Sequence, residues 1–384
     1  MALGTVRVGP ESTFATELAG FQPIRSLEDH LDMICPDDYP LLTTVGLGSG
    51  GSVNSLKYEW QEDTLIPLED AIDMAGNMDN SQTNMVVDHG GYFRPGDVLL
   101  VEDELMWVKY IEGNTLYVKR AFAGTSAASH NNNTVVYNVG NAQLQGSAPG
   151  AARNVEIAQY YNYPQIWSED AEIFIEDTQV AYHGMSGAEL LNYRLDKRLR
   201  EMYQAMERSL IYGKRNAPST NDEPYASGGL ATFLSTNLTD KSGAALEEKD
   251  LIDVLESIFK ACGASYVPDL MVGNTWPKRK MTAWYRGLIT TERAERVGGA
   301  RIDHIETDFG DLDLMIDHLV KPDELYLLRT EDISSVTLGN LGLTEWDATI
   351  PGKAHQARRA YGVYGWKVKN EKTMAKIYNF STTS

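Results

Sequence analysis

The sequence predicts an α+β fold. Three observations carry that expectation: short β-branched runs crowd residues 92–139, one long amphipathic helix spans about 187–212, and helix and strand patterns alternate from 228 onward. At 384 residues, with 42% apolar and 23% charged side chains, the chain can bury one large core or several smaller ones.

Residues 1–57 carry scattered apolar side chains, show helical spacing only at roughly 27–34, and end in GLGSGGS at 46–52. A stretch so poor in core residues must lie on something else to be ordered, so it is expected to be an arm. In 58–76, YEWQEDTLIPLEDAIDMAG, aromatic and acidic residues alternate before a short helical patch. Four runs follow between Tyr92 and Val139: Val98–Val101, Met106–Ile111, Thr115–Arg120 and Thr134–Tyr137. Turn residues such as Pro95-Gly96-Asp97 and Glu112-Gly113-Asn114 separate them. They predict a small barrel or a curled pair of hairpins, compact enough to be an insertion.

The clearest helix starts near Ser186, which stands with Glu189 in capping-box register. Leu191, Leu195, Leu199, Met202, Met206 and Leu210 then recur at steps of three and four, and Gly213 closes the helix. At the usual rise such a rod is about 39 Å long. A glycine-rich passage, ASGGLATFL (226–234), leads to a second helix. Its apolar side is Leu251, Val254, Leu255, Ile258, Phe259 and Cys262, and Gly263 stops it. DLMVGN (269–274) predicts a buried strand and PKRKMTAWYRGL (277–288) a third helix. DHIETDF (303–309) and DLDLMIDHLV (311–320) predict strands joined at Gly310, followed by ELYLLR (324–329) and DISSVTL (332–338). The tail, YGVYGWKVKN (361–370) and EKTMAKIYNF (371–380), predicts a long hairpin turning near Asn370 and Glu371.

Acidic residues outnumber basic ones, 54 to 34, for a formal charge of −20. Such a surface repels phosphate backbones and anionic lipid, which argues against direct binding of DNA, RNA or membrane. Cys35 and Cys262 cannot make a disulfide framework, so a reducing cytosol is expected. The opening MALGTVRVGPESTFATELAG lacks the charged-then-apolar pattern of a signal peptide, and no apolar run approaches membrane-spanning length.

The search for chemistry finds little. Gly46 to Gly51 spells GxGxxG, but SVNSLKYEW follows instead of a helix start, and no lysine with Ser or Thr completes a Walker loop. Gly184-Met185-Ser186-Gly187 lacks the spacing of a nucleophile elbow, and Ser186 is better explained as a cap. His304, Asp308, Asp317 and His318 are close in sequence, yet adjacent strand residues such as Asp317 and His318 point to opposite faces. They are expected to be surface polar residues. Glu59, Glu62 and Asp63 resemble a general acid–base group without a pocket, so a solvated or salt-bridged loop is the stronger expectation. No catalytic, cofactor-binding or metal residue is assigned, and no cofactor is expected.

The order of these parts, and particular strings within them, resemble a known family. YEWQEDTL (58–65), FRPGDVLLV (93–101), VKRAFAGTSAASH (118–130), ERSLIYGK (207–214), SGGL (227–230), TDFGDLDLMID (307–317) and YGVYGWKVKN (361–370) are similar to one branch of the major capsid proteins of tailed bacteriophages, which have the Hong Kong 97-type capsid fold. The similarity runs over nearly the whole chain from about residue 58.

The resemblance implies an N-terminal arm (1–57) across a neighbouring subunit and an extended loop (58–165) carrying the β insertion (about 92–139). It further implies a peripheral domain (166–227 and 352–384) with the long spine helix and the terminal hairpin, and an axial domain (228–351). The function it implies is a structural, non-enzymatic subunit of an icosahedral or prolate head, assembling with itself into hexamers and pentamers in the host cytoplasm. The shell would enclose double-stranded DNA without specific binding, its acidic balance keeping the packaged DNA mobile. Implied partners are a separate scaffolding protein, a portal protein and a cement or decoration protein. Tyr58, Trp60, Glu62, Asp63, Arg94, Arg120, Arg198 and Glu201 are the candidate intersubunit contacts. Some members cross-link a loop lysine to a neighbour's asparagine; no motif here matches Lys109, Lys119 or Asn370 to those roles, and no cross-link is assigned. The alternatives are an encapsulin-like cellular compartment and an uncharacterised soluble hydrolase or binding protein.

Overall fold

The structure is a computed structural model that describes residues 39–147, 157–180, 187–220, 222–285 and 304–383. The chain divides into two compact units, one over 59–160 and one built from the chain on either side of it. The expected helix at 27–34, Cys35 and residues 184–186 of the Gly184–Gly187 string, Ser186 among them, lie outside the described residues.

The chain enters through helix α1 (Pro40–Val45) and strands β1 (Ser52–Val53) and β2 (Tyr58–Glu62). Proline at the first position suits α1, because that N–H would lack a helical partner anyway. Within 59–160 follow β3 (Glu69–Ala71), β4 (Asn84–Val86), β5 (Asp97–Val101), β6 (Glu104–Glu112), β7 (Thr115–Lys119) and β8 (Val135–Asn141). They form one sheet in the order β3-β8-β5-β6-β7-β4. The four expected strands are present. β3 stands where a helical patch was expected: Glu69–Ala71 pairs with Val135–Tyr137, and strand pairing overrides the weak local helical spacing. One face buries Ile72, Met85, Val87, Leu99, Val101, Met106, Val108, Leu116, Val118 and Val136. The alternation along β5 and the first half of β6, to Val108, follows from the two-residue repeat of a strand, and it breaks where the register with β7 shifts between Val108 and Tyr110.

β9 (Ala158–Asn162) pairs with β2, and the remaining elements belong to the unit built from the chain on either side of 59–160. They are β10 (Gln165–Phe174), α2 (Ile175–Gln179), α3 (Gly187–Tyr212), α4 (Leu230–Phe233), β11 (Leu238–Asp240), α5 (Glu248–Cys262), β12 (Leu270–Gly273) and α6 (Thr275–Tyr285). Then come β13 (His304–Thr307), β14 (Gly310–Ile316), β15 (Glu324–Leu328), β16 (Ile333–Leu338), β17 (Thr344–Asp347), β18 (His355–Val368) and β19 (Ala375–Tyr378).

Two sheets organise this unit. The first runs β1-β16-β18-β10, with β17 also on β18. The 26 residues of α3 pack on it through Leu191 and Leu195 against Ala171, Ile173 and Ala360, with Met202, Met206 and Leu210 also buried. Each such side chain contributes about 1.5–3 kcal/mol of burial. The second sheet runs β11-β19-β15-β12-β14-β13. α5 and α6 cover it, through Leu251, Val254, Leu255, Ile258 and Met281 on Met271, Leu312, Leu325, Leu327 and Ile377. α5 is started by a capping box of Glu247 and Asp250, and Gly263 ends it at φ 82°.

The expected closing hairpin does not form. The turn is present, with Asn370 left-handed at φ 48°, but β18 pairs with β10, β16 and β17, whereas β19 pairs with β11 and β15. Asp332 sets this: its carboxylate accepts Asn370 Nδ2 at 2.9 Å and Thr373 Oγ1 at 3.2 Å, so the turn hands the chain from one sheet to the other. Phe259, expected on the apolar side of α5, is 37% exposed and packs on Phe309, with ring centroids 5.5 Å apart.

Candidate assembly surfaces

The arm is expected to lie on something, and its described end lies on its own chain. Leu41, Leu42 and Val45 of α1 are buried, and the Leu41 and Leu42 N–H groups donate to the Glu207 carboxylate of α3. The glycine-rich stretch after α1 is not free either. Gly50 N–H donates to Ser335 O at 2.7 Å, Ser335 Oγ donates to Gly46 O at 2.9 Å, and β1 runs parallel to β16. A strand follows this GxGxxG string, so it does not open the helix that a pyrophosphate site requires.

Tyr58 and Trp60, two of the candidate contacts, are internal. The Tyr58 hydroxyl donates to Trp366 O at 2.5 Å, and its ring rests on Gly365, where a Cβ would come within 2.6 Å of the hydroxyl oxygen. Burial pushes the Tyr58 hydroxyl well above its usual pKa, so it stays a neutral donor. Beside it Asn162, fully buried, donates through Nδ2 to Trp366 O at 2.7 Å and Gly228 O at 2.8 Å. Its Oδ1 accepts Gly228 N–H at 2.8 Å and Tyr163 N–H at 2.9 Å. The SGGL turn thereby becomes part of a buried polar knot. Gly229 is required there, since a Cβ would meet Leu210 O at 2.3 Å.

Trp60 stacks on Tyr160 at 6.2 Å and donates through Nε1 to Glu62 at 2.8 Å. Glu59 accepts Gln159 Nε2 at 2.8 Å, and Asp63 is exposed. Glu59 and Glu62 therefore lie on β2, and of the cluster only Asp63 falls in the loop beyond it. Arg94 hydrogen-bonds Asp97 through its backbone N–H at 3.0 Å and reaches the same carboxylate through Nε at 3.5 Å. Arg120 makes its contacts inside its own unit, its side chain 7% exposed, donating through Nε and Nη2 to Glu104 at 2.7 and 2.6 Å. It also donates to the carbonyls of Asp79, Gln82 and Ala128. Arg198 and Glu201 form an exposed pair one turn apart on α3 at 2.6 Å.

Exposed apolar rows stand elsewhere. On the outer face of the 69–141 sheet, Val135, Tyr137 and Val139 of β8 are exposed, and Tyr137 pairs with Leu100, which pairs with Leu105. Val98 pairs with Trp107, and Tyr110 stacks on Tyr117 at 4.2 Å. A sheet with one wet face alternates apolar and polar; this one is apolar on both. The string VVYNV (135–139) already held part of that signal, since Val135, Tyr137 and Val139 make one phase wholly apolar while the other carries the buried Val136. In the other unit, Ile166 and Phe174 of β10 are exposed, and Trp346 stacks on Tyr361 at 4.6 Å.

Of the suspected metal group, His304 meets Asp313 at 2.9 Å on the surface, its pKa raised by that carboxylate. Asp317 corrects the expectation of a surface residue: it is fully buried against Glu207. Among the described residues no three metal-ligating side chains converge, and no helix is long and apolar enough to cross a membrane.

Comparison with solved structures finds similar chains at low identity. The capsid of cyanophage A-1(L) matches with a TM-score of 0.56 and 9% identity, over 96% of this chain and 99% of that one. The capsid of a native GTA particle matches with a TM-score of 0.50 and 8% identity, over 97% and 100%. The holo-SrpI encapsulin of Synechococcus elongatus matches with a TM-score of 0.41 and 15% identity, over 60% of this chain and 78% of that one. Comparison with curated proteins gives no match. The family model described as SU10 major capsid protein matches residues 9–381. The two-sheet body with its spine helix is thus the capsid fold that the sequence resembles, and the chain belongs to the SU10 major capsid protein family, as a shell subunit of a phage head.

Proposed function

We propose that the chain assembles into hexamers and pentamers that close around packaged double-stranded DNA. The observation that carries this is the doubly apolar sheet of 69–141, whose outer row of Tyr137, Leu100 and Leu105 has no reason to be apolar unless another molecule covers it. In this reading 59–160 is the extended loop, reaching a neighbouring copy through that face. α3 with the first sheet is the peripheral domain. α5 and α6 with the second sheet form the axial domain around the five-fold and six-fold axes. Residues ahead of Tyr39 extend over a neighbour, while α1 stays on its own body. Asp63, Arg94, Arg198 and Glu201 remain contact candidates; Tyr58, Trp60 and Arg120 act by holding the loop's shape.

The chain performs no catalytic step in this scheme. Scaffolding, portal and cement functions come from separate proteins, and the formal charge of −20 keeps DNA from adhering to the wall. Electron microscopy of the purified protein, alone and mixed with scaffolding and portal proteins, tests the proposal. Closed shells or capsomer rings are expected, and removal of residues 1–38 is expected to prevent closure. A compact monomer in every mixture would overturn it. Closed shells filled with a protein cargo would identify a cellular compartment instead.

A further inference from the structure

Glu207 sits on the buried side of α3 among Met206, Leu210 and Ile211 and has no exposed surface. Its Oε1 accepts the Leu41 N–H at 2.9 Å and its Oε2 the Leu42 N–H at 3.3 Å. Tyr39, just ahead of α1, makes no side-chain cap, so the spine helix supplies the acceptors that the arm's own sequence lacks. Asp317, just past β14, is equally buried, and its carboxyl group lies close enough to that of Glu207 for the two charges to oppose one another. Its Oδ1 also accepts the Leu319 N–H at 2.7 Å. Two carboxyl groups buried side by side resist ionising together, and because ionised carboxylates only accept, they can bond to each other only through a proton on one of them.

We propose that this buried pair is a proton-dependent latch on α1, closed while Glu207 and Asp317 share one proton and open once both are ionised. Two effects oppose one another. Ionised Glu207 would accept the Leu41 and Leu42 N–H groups more strongly, which favours the charged form. Burial and the neighbouring Asp317 charge disfavour it, and they win: the Glu207 carboxyl is pushed up to about 8. A group raised in the folded chain from about 4.5 stabilises fully below that value. The stabilisation is lost as pH climbs through about 8, so the latch opens on the alkaline side.

The surroundings leave that window to the pair. Tyr203 and Tyr212 flank it on α3, and burial raises both hydroxyls, so they stay neutral. Glu324 of β15 is held below its usual range, despite burial, by Lys376 at 3.0 Å, with Lys321 at 3.4 Å and Tyr326 Oη at 2.9 Å beside it. Lys278 lines the groove beside Pro40 and Thr44, and His318 follows Asp317 in the chain. When the second charge appears, water must reach it. Glu207 is fixed in a 26-residue helix, and Asp317 is tied by its N–H to Gly273 O at 3.0 Å. α1 is six residues held by three buried side chains, so α1 is the piece that yields.

The latch rests on the geometry of one chain and not on the shell, so its test is independent of assembly. Amide exchange of the full-length protein, followed in peptides covering 39–46 and corrected for intrinsic rates, is measured from pH 6 to pH 9.5. Protection is expected to fall about tenfold or more across the window in the natural chain. It is expected to stay flat in Glu207→Gln, whose amide replaces the shared proton, and in Asp317→Asn, which removes the second charge. Constant protection in the natural chain would overturn the proposal, as would an unchanged pH dependence in whichever variant folds.

Discussion

Arg120 closes a two-toothed ion pair on Glu104, with Nε and Nη2 at 2.7 and 2.6 Å, while the same carboxylate accepts the Ala121 and Ala128 N–H groups at 3.0 and 3.1 Å. His130, fully buried, places Nε2 3.0 Å from Glu104 and Nδ1 2.9 Å from Glu102. The stretch 121–130 has no long strand of its own, so this cluster fixes it. Arg120→Ala leaves a buried carboxylate with its cation removed, which costs about 3–5 kcal/mol. Urea denaturation should show that loss. Exchange in the 59–160 unit should rise with it, and Arg120→Lys should fall between, since it keeps the charge but not the fork.

The same cluster predicts an acid limb. Burial raises Glu104, but the bonds from Arg120, His130, Ala121 and Ala128 outweigh it and hold the carboxyl near about 2, below its ordinary 4.5. A depressed carboxyl stabilises fully above 4.5 and loses that contribution as pH falls through about 2. The shift corresponds to about 3 kcal/mol. Glu104→Gln should be less stable at pH 7 and should lose less between pH 5 and pH 2, as followed by thermal melts.

Asn162→Ala removes the centre of the knot between the SGGL turn and β18. It strands the Gly228 N–H and weakens the satisfaction of Gly228 O and Trp366 O. A cost of about 2–3 kcal/mol is expected. Calorimetry of the variant should show the drop, and a neutral result would mean that water replaces the amide.

Tyr58 and Gly365 test close packing. Tyr58→Phe loses one bond to Trp366 O, which Asn162 still satisfies, and should cost about 1 kcal/mol. Gly365→Ala drives a Cβ to within 2.6–3.1 Å of the Tyr58 ring and hydroxyl and should cost about 1–3 kcal/mol. The ranking is the check, by equilibrium unfolding of both variants.

Surface charge on the outer sheet face separates folding from assembly. Tyr137→Glu and Val139→Lys sit at exposed positions and should change stability by less than about 1 kcal/mol. Both should block particle formation, scored by sedimentation. Normal particles from both would remove this face from the interface.

The sequence by itself determined the kinds of element and most of their places. The apolar spacing from Leu191 to Leu210 placed α3, and the β-branched runs placed β5 to β8, because helix and strand periods are local properties of the chain. The polar strings also placed the SGGL turn and the turn at Asn370. Only the tertiary structure decided where those turns lead. Asp332 lies 38 residues before Asn370, and its carboxylate sends β19 to the second sheet, so no hairpin forms. Glu207 looks like one more charge on a helix until Leu41, 166 residues away, and Asp317 close over it. Arg120 looks like a surface cation until Glu104 is found beneath it. A residue's period says which way it points, but its partner comes from another part of the chain, and the energetic role of a buried charge depends on that partner.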